Sequence, residues 1–238
     1  MTLKSAIFSV RSEGKGFSVC RKEKALETPL HFPLVVPTHD LANAIVQEFS
    51  AQGERADTRK MPLTQMALTA IDITMQNRAD IIAALMRYAE TDLLCQRAAS
   101  PADLVAEQKK VWQPYLDWCR QELGVELRVG QGITPVPQNK SALSALLKHI
   151  EGQDAFVLTG LSEASKTLGS LVLGFALMAG CASVDEAFEA AELDSLWQSR
   201  KWGEDPVSQS RYAEIKRDLN VCARWFALCL MPNPNSDG

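Results

Sequence analysis

AIFSVRSEGKGFSVC, residues 6–20, decides how the rest of the chain is read. Two short runs of β-formers, AIFSV (6–10) and GFSVC (16–20), flank Glu13-Gly14-Lys15-Gly16. Glycine enters the positive-φ region that a tight turn needs, so the spacing predicts an antiparallel hairpin. FPLVVP (32–37) is a third candidate strand. The prolines around it suit a strand end or a sheet edge, because proline cannot donate to the ladder.

The periodicity changes after residue 37. Thr38 is placed to cap a helix in which Leu41, Ala44, Ile45, Glu48 and Phe49 recur at helical spacing and which Gly53 closes. From Met61 onward nearly everything reads as helix. One runs Leu63 to Met75, and a second runs Arg78 to Asp92 with Ile81, Leu85, Tyr88 and Asp92 in line. Ser100-Pro101 opens a long helix ending near Gly124, which Pro114 is expected to kink or split near Val111 or Trp112. VELRVGQGITPVPQ (125–138) is a loop with room for a short strand. Asn139 caps a helix that ends at Gly152, and Asp154 caps the next. An apolar helix follows over 167–180. Ser183-x-x-Glu186 is a capping-box pattern opening the helix that carries LDSLWQSRKWGEDP (193–206). Gly203 ends that helix, and Asp205-Pro206 caps a last one running to about Met231, with residues 232–238 a frayed tail.

The expected fold class is α+β: a small β-rich N-terminal domain over 1–60 followed by a larger all-helical domain over 61–238. The polar stretch GERADTRK (53–60) is the linker.

Bulk composition narrows the function classes. With 46% apolar and 23% charged residues the chain can build a core and is not a disordered sequence. The net charge of −4, without a long block of one sign, disfavours nucleic acid, which is bound through basic patches. The N-terminal MTLKSAIFSVRSEGKGFSV has neither a signal-peptide apolar core nor an Arg/Ser-rich presequence. A bacterial cytoplasm is therefore expected, or the mitochondrial matrix if the chain is eukaryotic. Thr167 to Val184 is uncharged for 18 residues, the lower limit for a membrane span. Gly169, Gly174 and Gly180 within it, and the charged segments after it, favour a buried central helix. Six cysteines stand at 20, 95, 119, 181, 222 and 229 without a C-x-x-C, far from most of the histidines, so zinc and a disulfide framework are both disfavoured.

The sharpest candidate for chemistry is FVLTGLSEASKT (156–167), where Gly160, Lys166 and Thr167 match the offsets of a phosphate-binding loop. Ser165 holds the place where glycine would let backbone amides wrap a phosphate. No aspartate ends the following apolar run to hold magnesium. A nucleotide- or small-ligand-binding enzyme built on Gly160–Thr167 is the rival reading. His149, His31 and His39 have no evident acid or nucleophile partner, and Glu186/Glu189 lie among alanines as on a wet helix face. Nothing assembles a nucleophile, base and orienter, so the chain is read as a non-enzyme without cofactor or metal.

In LDSLWQSRKWGEDP, Asp194, Gln198 and Trp202 follow one another at i, i+4 along a single stripe, with Trp197 beside it. Indoles next to hydrogen-bonding groups are typical interface anchors. Spacing alone leaves a second reading open, in which both tryptophans are core and the polar groups cap neighbouring helices.

MPLTQMALTAID (61–72), RYAETDLLCQRA (87–98), Pro101, Leu104, Gln108, Trp112, Pro114 and Trp118, and then LDSLWQSRKWGED (193–205), come in an order and spacing that resemble a known family. TPLHFPLVVPT (28–38) and EFSAQGE (48–54) extend the likeness over nearly the whole chain. The family is that of the alpha-subunit assembly chaperones of F-type ATP synthase, the ATP-twelve family of mitochondria and alphaproteobacteria. CRKEKALE (20–27) replaces an Asp-Gly-Arg-like step, and Leu193-Asp194-Ser195 replaces Leu-Asp-Glu, so the role of the missing acid passes to Glu192 or Asp194. The resemblance implies the α+β architecture, no enzyme activity and no cofactor. It implies a client, the newly made alpha subunit, held until the beta subunit replaces the chaperone. The partner-binding surface is expected at Glu192, Asp194, Trp197, Gln198, Trp202, Glu204 and Asp205, on a monomer that neither binds nucleic acid nor inserts into membranes.

Overall fold

The computed structural model describes residues 7–52, 57–132, 134–203 and 206–230. The chain has a small N-terminal strand region and a larger helical part, and it divides into two compact units. The first takes the chain to Arg78, together with Ala155–Gly160 and the chain from Arg224. The second holds Ala79–Asp154 and Leu161–Ala223.

In the first unit, β1 (Phe8–Glu13) and β2 (Gly16–Arg21) pair antiparallel from Phe8↔Arg21 to Glu13↔Gly16, which is the predicted hairpin. Gly14 takes φ +60° at the turn. A Cβ on Gly16 would stand 2.8 Å from Val35 Cγ1 and from the Val36 carbonyl oxygen, so only glycine lets the strands close there. The expected strand over 32–37 shrinks to β4 (Val35–Val36), which pairs with β2. A short strand absent from the sequence reading, β3 (Lys24–Ala25), pairs with the far end of β2. The turn between them puts Lys22 and Glu23 at φ +48° and +68°, a left-handed pair built without glycine.

Helix α1 (His39–Gln52) starts where Thr38 Oγ1 accepts the Leu41 N–H at 3.2 Å. The same hydroxyl donates to the Leu228 carbonyl at 2.6 Å. Phe8 stacks on Phe49 at 5.2 Å. Gly53, expected to end this helix, lies outside the described residues, as does the tail. Helix α2 (Pro62–Thr69) has no cap of its own. The Glu48 carboxylate of α1 serves instead, accepting from Leu63 N–H at 2.9 Å and from Thr64 N–H and Oγ1 at 2.8 and 2.7 Å. The predicted single helix to Met75 is not uniform: α2 passes into a π-helical turn, Ala70–Thr74, closed by Met75 N–H to the Ala70 carbonyl.

The second unit is helical. It contains α3 (Arg78–Glu90) after its first residue, α4 (Ala102–Glu122) and α5 (Lys140–Glu151). Most of α6 (Ala155–Leu168) and α10 (Pro206–Leu230) also belongs to it, with α7 (Leu171–Met178), α8 (Val184–Ala191) and α9 (Leu193–Trp202). Four expectations are corrected. Pro101 is the residue before α4 rather than its first turn. Pro114 neither splits nor ends α4; it lies on the exposed side of the helix, where a carbonyl that loses its helical donor can be solvated instead. The apolar run 167–180 is not one helix: Gly169 at φ +64° breaks it, and Ser170 Oγ caps α7 by accepting from Leu173 N–H. Among the described residues no helix is long and apolar enough to cross a membrane. The capping box at Ser183/Glu186 is present in both halves, but the helix it opens ends at Ala191, and α9 begins afresh after Glu192 at φ −98°, ψ 15°. The loop over 125–138 does hold a short strand, β6 (Gly130–Gln131), parallel to β5 (Gln96–Arg97).

The core of this unit centres on Trp112, 1% exposed, whose indole N–H donates to the Ala190 carbonyl at 2.8 Å. Arg97, itself buried, lies over the Trp112 ring at 5.3 Å. Buried Asp92 joins its own turn to the start of α7 by accepting from Leu94 N–H, Ser170 Oγ and Val172 N–H at 3.1, 2.7 and 3.1 Å. A Cβ on Gly174 would come within 2.6 Å of Ser165 Oγ, so the glycine in the apolar run serves close contact of α7 with α6.

Candidate functional site: the face of helix α9

Helix α9 buries only Leu193 and Trp197. Two buried side chains on ten residues hold a helix weakly, and polar tethers to α4 supply the rest. Gln108 Nε2 donates to Asp194 Oδ1 at 2.7 Å, while Gln108 Oε1 accepts the Ala98 N–H at 2.8 Å. Arg200 donates to Glu107 Oε1 at 2.5 Å and Lys201 to Asp103 Oδ2 at 2.6 Å. The Lys201 ammonium holds the Asp103 carboxyl below the usual carboxylate range. It also lies 4.1 Å above the Trp197 ring, a cation–π contact. Before the helix, Glu192 is gripped by both terminal nitrogens of Arg211, with Nη1 to Oε1 at 2.9 Å, leaving its side chain 11% exposed.

The two tryptophans therefore divide. Trp197 is 7% exposed and belongs to the core, whereas Trp202 is 74% exposed. Gln198 is also exposed, and Asp194 is half-buried against Gln108. The i, i+4 stripe runs from an engaged acid through a free-standing amide to an open indole. Gly203 ends the helix at φ +94°, as expected. Glu204 and Asp205 lie outside the described residues. The tethers Asp103, Glu107, Arg200 and Lys201 were not singled out in the sequence. Their i, i+4 spacing on α4 and the basic pair ending α9 are visible there, but the pairing of the two helices is not.

The other candidates take structural places. Residues 156–167 lie wholly inside α6, so their amides serve helical bonds and form no phosphate-cradling loop. Gly160 has a packing reason: a Cβ there would meet Trp225 Cδ1 and Phe226 Cε1 at 2.7 Å. Lys166 pairs with Glu163 at 3.9 Å on the surface. His149 Nε2 lies 2.8 Å from the Leu123 carbonyl oxygen, with its ring edge-on to Phe175. Among the described residues no group of three or more His, Cys, Asp or Glu is placed to hold a metal ion. Burial pushes the Cys119 and Cys222 thiols up to about 12, and Cys95 is raised as well, so these are packing residues with little thiolate character.

The sequence model of the family described as ATP12 chaperone protein matches residues 4–120. The crystal structure of Atp12 from Paracoccus denitrificans is 34% identical, superposes with a TM-score of 0.90, and the match covers 94% of this chain and 96% of that one. A structure from Agrobacterium tumefaciens is 30% identical over 94% of this chain and 85% of its own, with a TM-score of 0.88. The mitochondrial protein atp12 of Schizosaccharomyces pombe is 21% identical over 152 residues, 60% of this chain and 52% of the relative, so the match spans about half that relative's length. The fold, the near-complete overlap and the identity with the Paracoccus protein place this chain in the ATP12 chaperone family.

Proposed function

We propose that this protein is an assembly chaperone of F-type ATP synthase that binds the unassembled alpha subunit, covers the surface destined for beta, and gives way when beta arrives. Membership of a chaperone family supports the class of function. The observation that carries the site is Trp202, a large indole left 74% exposed at the end of a helix otherwise fastened down. A subunit awaiting its neighbour exposes apolar surface, which in water is an aggregation hazard. Covering about 800 Å² of it is the scale of a specific interface. Release then requires only that beta make the better contact, and a face mixing an indole with an amide and nearby ion pairs suits exchange better than a wholly apolar one.

In this reading Gln198 and Trp202 touch the client. Asp194, Trp197 and Glu192 hold α9 in place through Gln108, the core and Arg211. Glu204 and Asp205, two and three residues after Trp202 in sequence, are included in the proposed contact for their negative charge. No bond is made or broken and no cofactor takes part. The meeting place is wherever alpha is made or delivered, the bacterial cytoplasm or the mitochondrial matrix. The test is capture: tagged alpha subunit, expressed without beta, should co-purify with this chain, and added beta should displace it. A chain that leaves alpha to aggregate, or that beta cannot displace, refutes the proposal.

A further inference from the structure

The first unit carries an apolar surface that α9 does not explain. A groove of about 400 Å³ is lined by Phe32, Val35, Ile71, Met75 and Phe156, with Gln76 the polar side chain among its lining. The described residues lining it include no charge. Phe32 and Met75 are 38% and 46% exposed, and Leu30 and Ile73 nearby are 58% and 49% exposed.

These side chains are presented by a built support. Asp72, buried within the π-helical turn between Ile71 and Ile73, accepts from Thr28 Oγ1 at 2.5 Å and from Leu30 N–H at 3.3 Å. Thr28 Oγ1 in turn accepts the Phe32 N–H at 3.2 Å. One carboxylate thus fastens the segment carrying Leu30 and Phe32 to the turn carrying Ile71, Ile73 and Met75. π-Turns are uncommon and recur at functional sites. This one sets Asp72 inward while its two neighbours stay beside or on the apolar surface. A surface ordered in advance loses less entropy when it is occupied.

We infer that this groove binds a short, uncharged apolar segment of the client polypeptide, an inference that rests on the chaperone reading above. The size argues for a segment rather than a second copy of this chain. At roughly 200 Å² for each large side chain, the exposed parts of Leu30, Phe32, Ile73 and Met75 come to about 400 Å². A stable pair of copies buries about 800 Å² on each partner. A groove of this volume takes a few large side chains. Its uncharged lining would leave a charged occupant without a counter-ion.

The test is capture of tagged alpha subunit by the full-length chain and two variants: Met75→Glu, which puts a charge in the groove, and the double variant Leu30→Ser, Ile73→Ser. The latter two positions are about half or more exposed, so their replacement leaves the core untouched. With circular dichroism and melting unchanged, each variant should retain about tenfold less alpha, the effect of losing one or two apolar anchors. Variants that retain alpha in full overturn the groove while leaving the chaperone function standing. A wild-type chain that retains none overturns both. Sedimentation showing the wild type as a dimer and the variants as monomers would make the patch a self-interface, which also overturns it.

Discussion

The indoles of Trp197 and Trp202 meet edge to face at 5.8 Å, yet one is sealed and the other is open to water. Their replacement should separate stability from binding. Trp197→Ala empties a core site and should destabilise by about 3–5 kcal/mol. Trp202→Ala should cost at most about 1 kcal/mol, the worth of an aromatic pair, but should lower capture of the alpha subunit. Urea unfolding and co-purification read the two effects. Equal destabilisation by both variants would contradict the assignment of Trp202 to a contact surface.

Asp194 is held from within. Its carboxylate accepts from Gln108, which is 1% exposed and whose amide nitrogen meets no other acceptor among the described residues. Asp194→Ala strands a buried donor and should cost about 1–3 kcal/mol. Asp194→Asn keeps an oxygen there and should stay close to wild type in urea unfolding. If the Asn variant folded normally but lost the client, Asp194 would be a contact rather than a tether.

Gly160 is the glycine of the phosphate-loop-like segment, but Trp225 and Phe226 explain it. Gly160→Ala drives a methyl into both rings and should destabilise by about 1–3 kcal/mol. Lys166→Ala, on the exposed face of the same helix, should stay within about 0.5 kcal/mol of wild type. Calorimetry with magnesium and ATP should show no heat of binding to the wild type. Saturable heat that Lys166→Ala abolishes would restore the nucleotide reading.

How far these features could be read in advance depends on the range of the forces behind them. The hairpin was legible because Gly14 and Gly16 act locally, and the Ser183/Glu186 box because capping spans one turn. The break at Gly169 was not, because the apolar run on either side looks continuous until Ser170 finds Asp92, 78 residues earlier. The cap of α2 by Glu48 and the fastening of Leu30 by Asp72 likewise join residues far apart in sequence. On α9 the stripe itself was legible from 100° periodicity. Which of its members face inward was not, since Asp194 is turned in by Gln108 on another helix. The apolar groove was missed because Phe32, Met75 and Phe156 meet only after folding.

Buried Asp92 gives the fold a pH signature of definite sign. Burial raises its pKa, outweighing the hydrogen bonds from Val172, Ser170 and Leu94 that favour the ionised form. The unfolded chain releases that proton near the ordinary value of about 3.9. Between the two values the native state holds a proton that the unfolded state has lost, so stability falls as pH rises. The stabilising increment is complete below the unfolded value and disappears as pH climbs through the folded one. Asp103 and Glu186 act in the opposite sense: their lowered values mean stability lost on acidification. Comparison with Asp92→Asn isolates the buried group, because both proteins share every other carboxylate. Urea unfolding from about pH 4 to pH 8 should show wild type gaining on the Asn variant toward acid. A difference between the two that stays constant with pH would mean that Asp92 ionises in the fold as readily as in the unfolded chain, and that its three donors fully compensate its burial.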